Sequence, residues 1–166
     1  MIETERCLLT APRPADLDTV VRLYTDARVR RHLGGPRSEA DARMAFAAML
    51  DGRPDEHTWV IRLRAGGEPV GLVILAPHHN RSDTEVSYLL LPDVWGQGYA
   101  GEAVRAVIDH ALNGLGLTRV VAETQAANAA SRRMLERVGL RASQTLTRFG
   151  AAQVIYTTDD ASRPCR

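Results

Sequence analysis

The sequence predicts an α/β domain with a mixed, mostly antiparallel sheet of about six to seven strands, flanked by about four helices. Three observations carry this expectation. Strand-like and helix-like segments alternate along the whole chain with no internal repeat or linker. A run of strands before residue 91 includes a glycine hairpin turn, which joins neighbours antiparallel. Near mid-chain, one apolar strand passes through a glycine-rich turn directly into a segment of helical periodicity.

Cys7 to Ala11 forms a short first strand, and a helix follows from about Ala15 to Asp26. Ser38 and Asp41 form a capping box that opens a second helix through Met49. Trp59 to Arg64 alternates as a strand, Ala65-Gly66-Gly67-Glu68 makes a hairpin turn, and Val70 to Leu75 pairs back across it. Thr84 to Leu91 is the next strand. After Gly98, apolar residues at Ala100, Ala103, Val104, Val107, Ile108, Ala111 and Leu112 line one face of a helix. Arg119 to Thr124 is a strand, Asn128 caps a helix to Val138, and Gly139 ends it. Ala142 to Thr147 and Gln153 to Thr157 close the sheet.

With 166 residues the chain corresponds to one domain, spanning 1–166. Its net charge of +1 gives no general field for nucleic acid, which is not an expected partner. Arg28, Arg30 and Arg31 form a local basic cluster, expected to be solvated surface. No apolar run approaches the roughly 18 residues of a membrane span, and Met1 to Glu5 is no signal peptide. Cys7 and Cys165 have no motif between them and suggest reduced thiols of a cytoplasmic protein. His78-His79 has no third metal ligand at a recognisable spacing, so a surface loop is expected there. Trp59 is assigned to the core.

The most informative stretch runs from Tyr88 to Ala103. Gly96, Gly98 and Gly101 let the backbone approach a ligand closely. The helix that follows leaves its first amides unpaired at the positive end of its dipole. Strand, glycine turn and helix N-terminus together suit a phosphate or diphosphate. A P-loop needs a lysine, and this chain has none, all 21 of its basic residues being arginine. The same absence excludes lysine Schiff-base chemistry. Gly96-Gln97-Gly98-Tyr99-Ala100-Gly101 satisfies the dinucleotide spacing literally. However, it lies past mid-chain, and the acidic ribose ligand expected about 20 residues on is replaced by Thr118-Arg119-Val120-Val121.

Leu91-Pro92-x-x-Trp95-Gly96-Gln97-Gly98-Tyr99-Ala100-x-Glu102-Ala103 resembles the acetyl-CoA signature of the GNAT acetyltransferase superfamily. It is most similar to the branch containing ribosomal-protein N-terminal acetyltransferases, in which tryptophan at the first motif position is usual. Asn128-Ala129-Ala130-Ser131 through Leu135-Glu136 to Gly139-Leu140 resembles a second family block. Thr4-Glu5-Arg6-Cys7-Leu8-Leu9-Thr10 leading to Pro14-Ala15-Asp16-Leu17 resembles the family's opening strand and helix. The resemblance therefore covers nearly the whole chain.

It implies an acetyl-CoA-dependent N-acetyltransferase of GNAT fold, acting by direct attack of a primary amine on the thioester. The acceptor would be a protein N-terminus or a small molecule such as a polyamine, amino acid or antibiotic. The amides from Gly96 to Gly101, with Gln97, Tyr99 and Ala100, would hold the diphosphate. Leu89, Leu90 and Leu91 match the strand segment that pairs with the pantetheine arm, and a backbone N–H near Leu89 would face the oxyanion. Glu85 occupies the place of the strand glutamate that takes the amine's proton, needed because an α-amino group titrates near about 8. Its alternative is a rim carboxylate without duty. Asn128 is both helix cap and pantetheine or water ligand. The tyrosine that many family members place seven residues later is Leu135 here, so Ser131 becomes the donor to the leaving thiolate. Tyr88 and Tyr99 are further candidate donors, although Tyr88 is expected rather to pack in the core and Tyr99 to be the family's ordinary aromatic. A homodimer is one expectation of the family. A non-catalytic acyl-CoA-binding module and an aminoacyl-tRNA acetyltransferase are alternatives, the second opposed by the near-zero charge.

Overall fold

A computed structural model describes residues 1–158. The expectation for Cys165 falls outside the described residues. Eight strands form one sheet: β1 (Ile2–Glu3), β2 (Cys7–Thr10), β3 (His57–Leu63), β4 (Pro69–Pro77), β5 (Thr84–Leu90), β6 (Val121–Gln125), β7 (Arg141–Arg148) and β8 (Ala151–Thr157). Four helices accompany them: α1 (Leu17–Thr25), α2 (Glu39–Asp51), α3 (Tyr99–Asp109) and α4 (Ala129–Val138). The strand order is β1-β2-β3-β4-β5-β6-β8-β7, and β5–β6 is the parallel pair in an otherwise antiparallel sheet. The crossover between those two strands runs through α3, as a parallel connection requires.

The strands beyond the expected seven come to one: β1, two residues that pair with Leu8 and Leu9. It is too short to carry a periodicity. The helix after Gly98 keeps regular geometry to Asp109 and continues as a π turn over His110–Gly114. Ser38 caps α2 by accepting from the Asp41 N–H at 3.1 Å, as the capping box predicts.

Because successive strand residues point to opposite faces, the sheet separates two apolar cores. On one face, Val104 and Val107 of α3 and Leu135 of α4 pack against Leu9, Ile61, Val73 and Val86. On the other, Val20 and Leu23 of α1 and Ala42 and Phe46 of α2 cover Val60, Leu72 and Leu91. Trp59 is 8% exposed and belongs to the first core. Burial on this scale contributes roughly 25 cal/mol for each Å² of apolar surface removed from water.

The link from α1 to α2 differs from its expected solvated state. Arg28 pairs with Asp26 at the surface, but Arg30 is 8% exposed. Its guanidinium donates to the carbonyls of Gly35 at 2.7 Å and Leu33 at 2.5 Å, which spends its charge on the link's own backbone. Arg62 of β3 donates to both carboxylate oxygens of buried Asp16 at 2.8 Å, tying the sheet to the turn that opens α1.

Candidate active site

The glycine turn is built as its sequence suggests. After a single 3-10 turn at Pro92–Val94, Gly96 and Gly98 take φ of 74° and 85°, where a side chain would be strained. The Trp95 indole N–H donates to the Leu90 carbonyl at 2.8 Å and fastens the turn to the end of β5. Gly98 caps α3, and the first helical bond runs from the Glu102 N–H to the Gly98 carbonyl at 3.1 Å. The amides of Tyr99, Ala100 and Gly101 therefore lie in the unpaired first turn. Gly101 has no left-handed φ; it lies against α4, where an added Cβ would meet Met134 and Val138 at an ordinary 3.7 Å.

Arg6, read from sequence only as part of the opening strand, belongs to this loop. Its Nη1 donates to the Gln97 carbonyl at 2.8 Å, and its guanidinium stacks on the Tyr99 ring at 4.6 Å. Glu102 holds it through Nε at 2.7 Å and accepts from Thr4 at 2.6 Å. Since a peptide is planar and trans, drawing the Gln97 carbonyl toward Arg6 turns the Gly98 N–H to the opposite side. The clue was the Thr4-x-Arg6 spacing, which is informative only once α3 stands beside β2.

Next to this loop the sheet opens. β5 and β6 share a single register pair, Glu85 with Val121, and then part. The Leu91 N–H donates to Val70 at 2.9 Å, so alternation along the regular β4–β5 register directs the peptide groups of Leu89 and Ser87 toward β4. Those of Leu90 and Tyr88 face the opening. The amides available there are thus those beside Leu89, at Tyr88 and Leu90. Of the strand's leucine side chains, Leu90 lies in the α3–α4 core, while Leu89 and Leu91 lie with α1 and α2.

Glu85 sits where the strands separate, and its Oε1 accepts the Glu123 N–H at 3.3 Å. Burial pushes its carboxyl above the usual range, opposed by nearby His78 and by that N–H. His78 is a correction to the loop expectation: it is 1% exposed, and its Nε2 lies 2.8 Å from Glu123 Oε2. Its Nδ1 accepts weakly from the Asn80 N–H at 3.4 Å, a pattern that assigns the ring hydrogen to Nε2. Arg148 Nε stands 3.0 Å from the other Glu123 oxygen, and the His79 ring lies edge-on to Phe149 at the tip of the β7–β8 hairpin. A histidine ring N–H donating to a buried carboxylate contributes about 2 kcal/mol. His78→Ala is therefore expected to lower stability by about that amount, seen as a reduced urea midpoint with unchanged slope.

Across the opening, Asn128 caps α4 by accepting the Ser131 N–H at 3.1 Å. Ser131 Oγ lies 2.5 Å from the Tyr88 hydroxyl, so Tyr88 does more than pack in the core. Its ring touches the core, its hydroxyl does not end there, and burial pushes its pKa up to about 12. Leu135 is fully buried. His32, from the α1–α2 link, reaches Gln125 of β6 at 3.2 Å. Hydrogen bonds thus link Tyr88 of β5 with Ser131 of α4, and Glu85 of β5 with Glu123 of β6. Among the described residues there is no metal-ligating cluster of three or more, and no helix long and apolar enough to cross a membrane.

A mixed sheet parted beside a glycine-opened helix N-terminus, with a half-buried carboxylate at the fork, is the architecture of an acyltransferase of GNAT fold. The chain belongs to the GNAT acetyltransferase family: the sequence pattern of the acetyltransferase (GNAT) domain matches residues 6–141. An N-acetyltransferase of uncharacterized role from Bacillus subtilis, YoaA, is 26% identical over 157 residues, 90% of this chain and 87% of that protein. The crystal structure of a GNAT-family acetyltransferase from Bacillus anthracis superposes with TM-score 0.83 at 22% identity, covering 94% of this chain and 96% of that one. Spermidine N-acetyltransferase from Vibrio cholerae, solved with CoA and spermine, gives TM-score 0.78 at 15% identity, with 92% and 94% covered. At these identities the structural likeness establishes the fold.

Proposed function

We propose that this protein transfers acetyl from acetyl-CoA directly to a primary amine. The observation that carries the proposal is that the first-turn amides of α3 and the unpaired edge of β5 border one opening that ends at Glu85. Family use of acetyl-CoA supports the donor. The diphosphate lies against the amides of Gly98 to Gly101, beside Gly96 and Gln97. The pantetheine arm runs along Leu89, Leu90 and Leu91 and meets Asn128. Charge-assisted hydrogen bonds of about 1.5–3 kcal/mol each account for micromolar binding.

Glu85 takes the amine's proton, directly or through water, and its raised pKa brings a carboxylate nearer to the acceptor's own titration. The Tyr88 or Leu90 N–H faces the oxyanion, and Ser131 donates to the departing sulfur. The branch resemblance and the short β7–β8 hairpin favour a protein N-terminus as acceptor. The Vibrio cholerae neighbour supports a second reading, a small polyamine.

Calorimetric titration with acetyl-CoA, followed by thiol-release assays, tests both. Micromolar binding and turnover with alanine- or serine-terminated peptides are expected; turnover with spermidine alone moves the acceptor to the polyamine class. Binding without release from any amine leaves an acyl-CoA-binding module, and absence of binding overturns the proposal.

A further inference from the structure

We infer that Tyr88 is a positioning residue for the leaving sulfur: its phenol donates to Ser131 Oγ and so turns the serine hydrogen into the opening between β5 and α4. The inference rests on the proposed use of acetyl-CoA. It begins from the contact between two hydroxyls on different elements, Tyr88 on β5 and Ser131 in the first turn of α4, 2.5 Å apart.

Either oxygen could donate, and acidity decides the direction: a phenol is the stronger acid and so the better donor, and the serine oxygen the better acceptor. Tyr88 reaches no other hydrogen-bond partner among the described residues. If serine donated to the phenol, the phenolic hydrogen of this half-buried residue would have no protein partner among the described residues. If the phenol donates, its hydrogen is paired. Ser131, half-buried and with its N–H held by Asn128, keeps its own hydrogen free. Tyr156 is the other titratable group acting on Tyr88, and its hydroxyl is occupied by Arg132 at 3.1 Å and Glu136 at 2.9 Å.

The acidities then decide what the pair does. A thiol of pKa about 8.5 is a stronger acid than either hydroxyl, so neither gives up its proton outright. As the amine nitrogen bonds to the acetyl carbon, the C–S bond breaks and its electron pair goes to sulfur. The amine's proton passes to Glu85 or water, and the thiolate leaves as an anion accepting the Ser131 hydrogen bond. The phenol takes over the stabilising part of the tyrosine that Leu135 lacks, from β5 instead of α4.

The test uses the complex with CoA. The bound thiol is titrated by its thiolate absorbance, with the complex of desulfo-CoA as blank to remove the protein's own cysteines. Tyr88→Phe, Ser131→Ala and the double variant are compared with the parent. Tyr88→Phe is expected to raise the bound-thiol pKa by about one unit and lower kcat about tenfold. The Michaelis constant for acetyl-CoA should stay within about twofold, because the contact strengthens only as charge develops. In the Ser131→Ala background the same change should have no further effect. An unmoved thiol with CoA bound, or effects that add in the double variant, overturns this inference alone. Failure of both CoA and desulfo-CoA to bind the parent overturns it together with the proposed function.

Discussion

Glu85→Gln is expected to lower kcat/KM by about 10²- to 10⁴-fold, the usual contribution of a positioned general base, and to raise thermal stability at the same time. Both effects come from burial. The carboxyl is held above its ordinary pKa mainly because the anion is desolvated at the fork of the sheet. The folded chain therefore binds this proton more tightly than the unfolded one. Its contribution favours folding below the ordinary carboxyl pKa and is lost as pH rises through the elevated one. At pH 8 the partly desolvated carboxylate is a cost that glutamine removes while still accepting the Glu123 N–H. The melting temperature of the variant should exceed that of the parent at pH 8, with the difference vanishing near pH 4. The acid limb of kcat/KM should then follow the acceptor amine alone. A variant within about threefold of parent activity would return Glu85 to a structural carboxylate.

Gly98→Trp should weaken acetyl-CoA binding by at least about 100-fold, the loss of one or two charge-assisted hydrogen bonds. The residue has φ of 85°, and a Cβ there would stand 3.2 Å from Arg6 Nη2. A non-glycine residue in that region carries about 1–3 kcal/mol of strain, and the indole would stand where the diphosphate is placed. Gly101→Ala supplies the control. Its Cβ would meet only ordinary contacts at 3.7 Å, and alanine is the better helix residue by about 0.5–1 kcal/mol. Calorimetry should show binding retained in the second variant and lost in the first. Equal affinity in both would place the diphosphate elsewhere.

Much of this molecule is legible because its signals are local. Ser38 and Asp41, Asn128 and Ser131, and Gly139 each act within one helical turn, so a single stretch of sequence identifies the ends of α2 and α4. The same holds for the glycine turn, whose positive φ values at Gly96 and Gly98 follow from the residue type. β1 escaped notice because two residues have no period. His78 was misassigned because its neighbours Asn80, Arg81 and Ser82 are turn-forming, whereas its burial comes from Glu123, 45 residues away.

What the sequence determined alone, therefore, was the order of elements, the α/β class and the glycine-opened start of α3. Tertiary structure alone decided that β5 and β6 part after Glu85 and that Arg6 belongs to the α3 loop. It also decided that Arg30 is interior and that Tyr88 ends on Ser131. The reason is range: caps and turns are settled by hydrogen bonds spanning three or four residues. Burial and the pairing of polar groups depend on partners that the chain brings together only by folding, such as Arg6 with Glu102 across 96 positions.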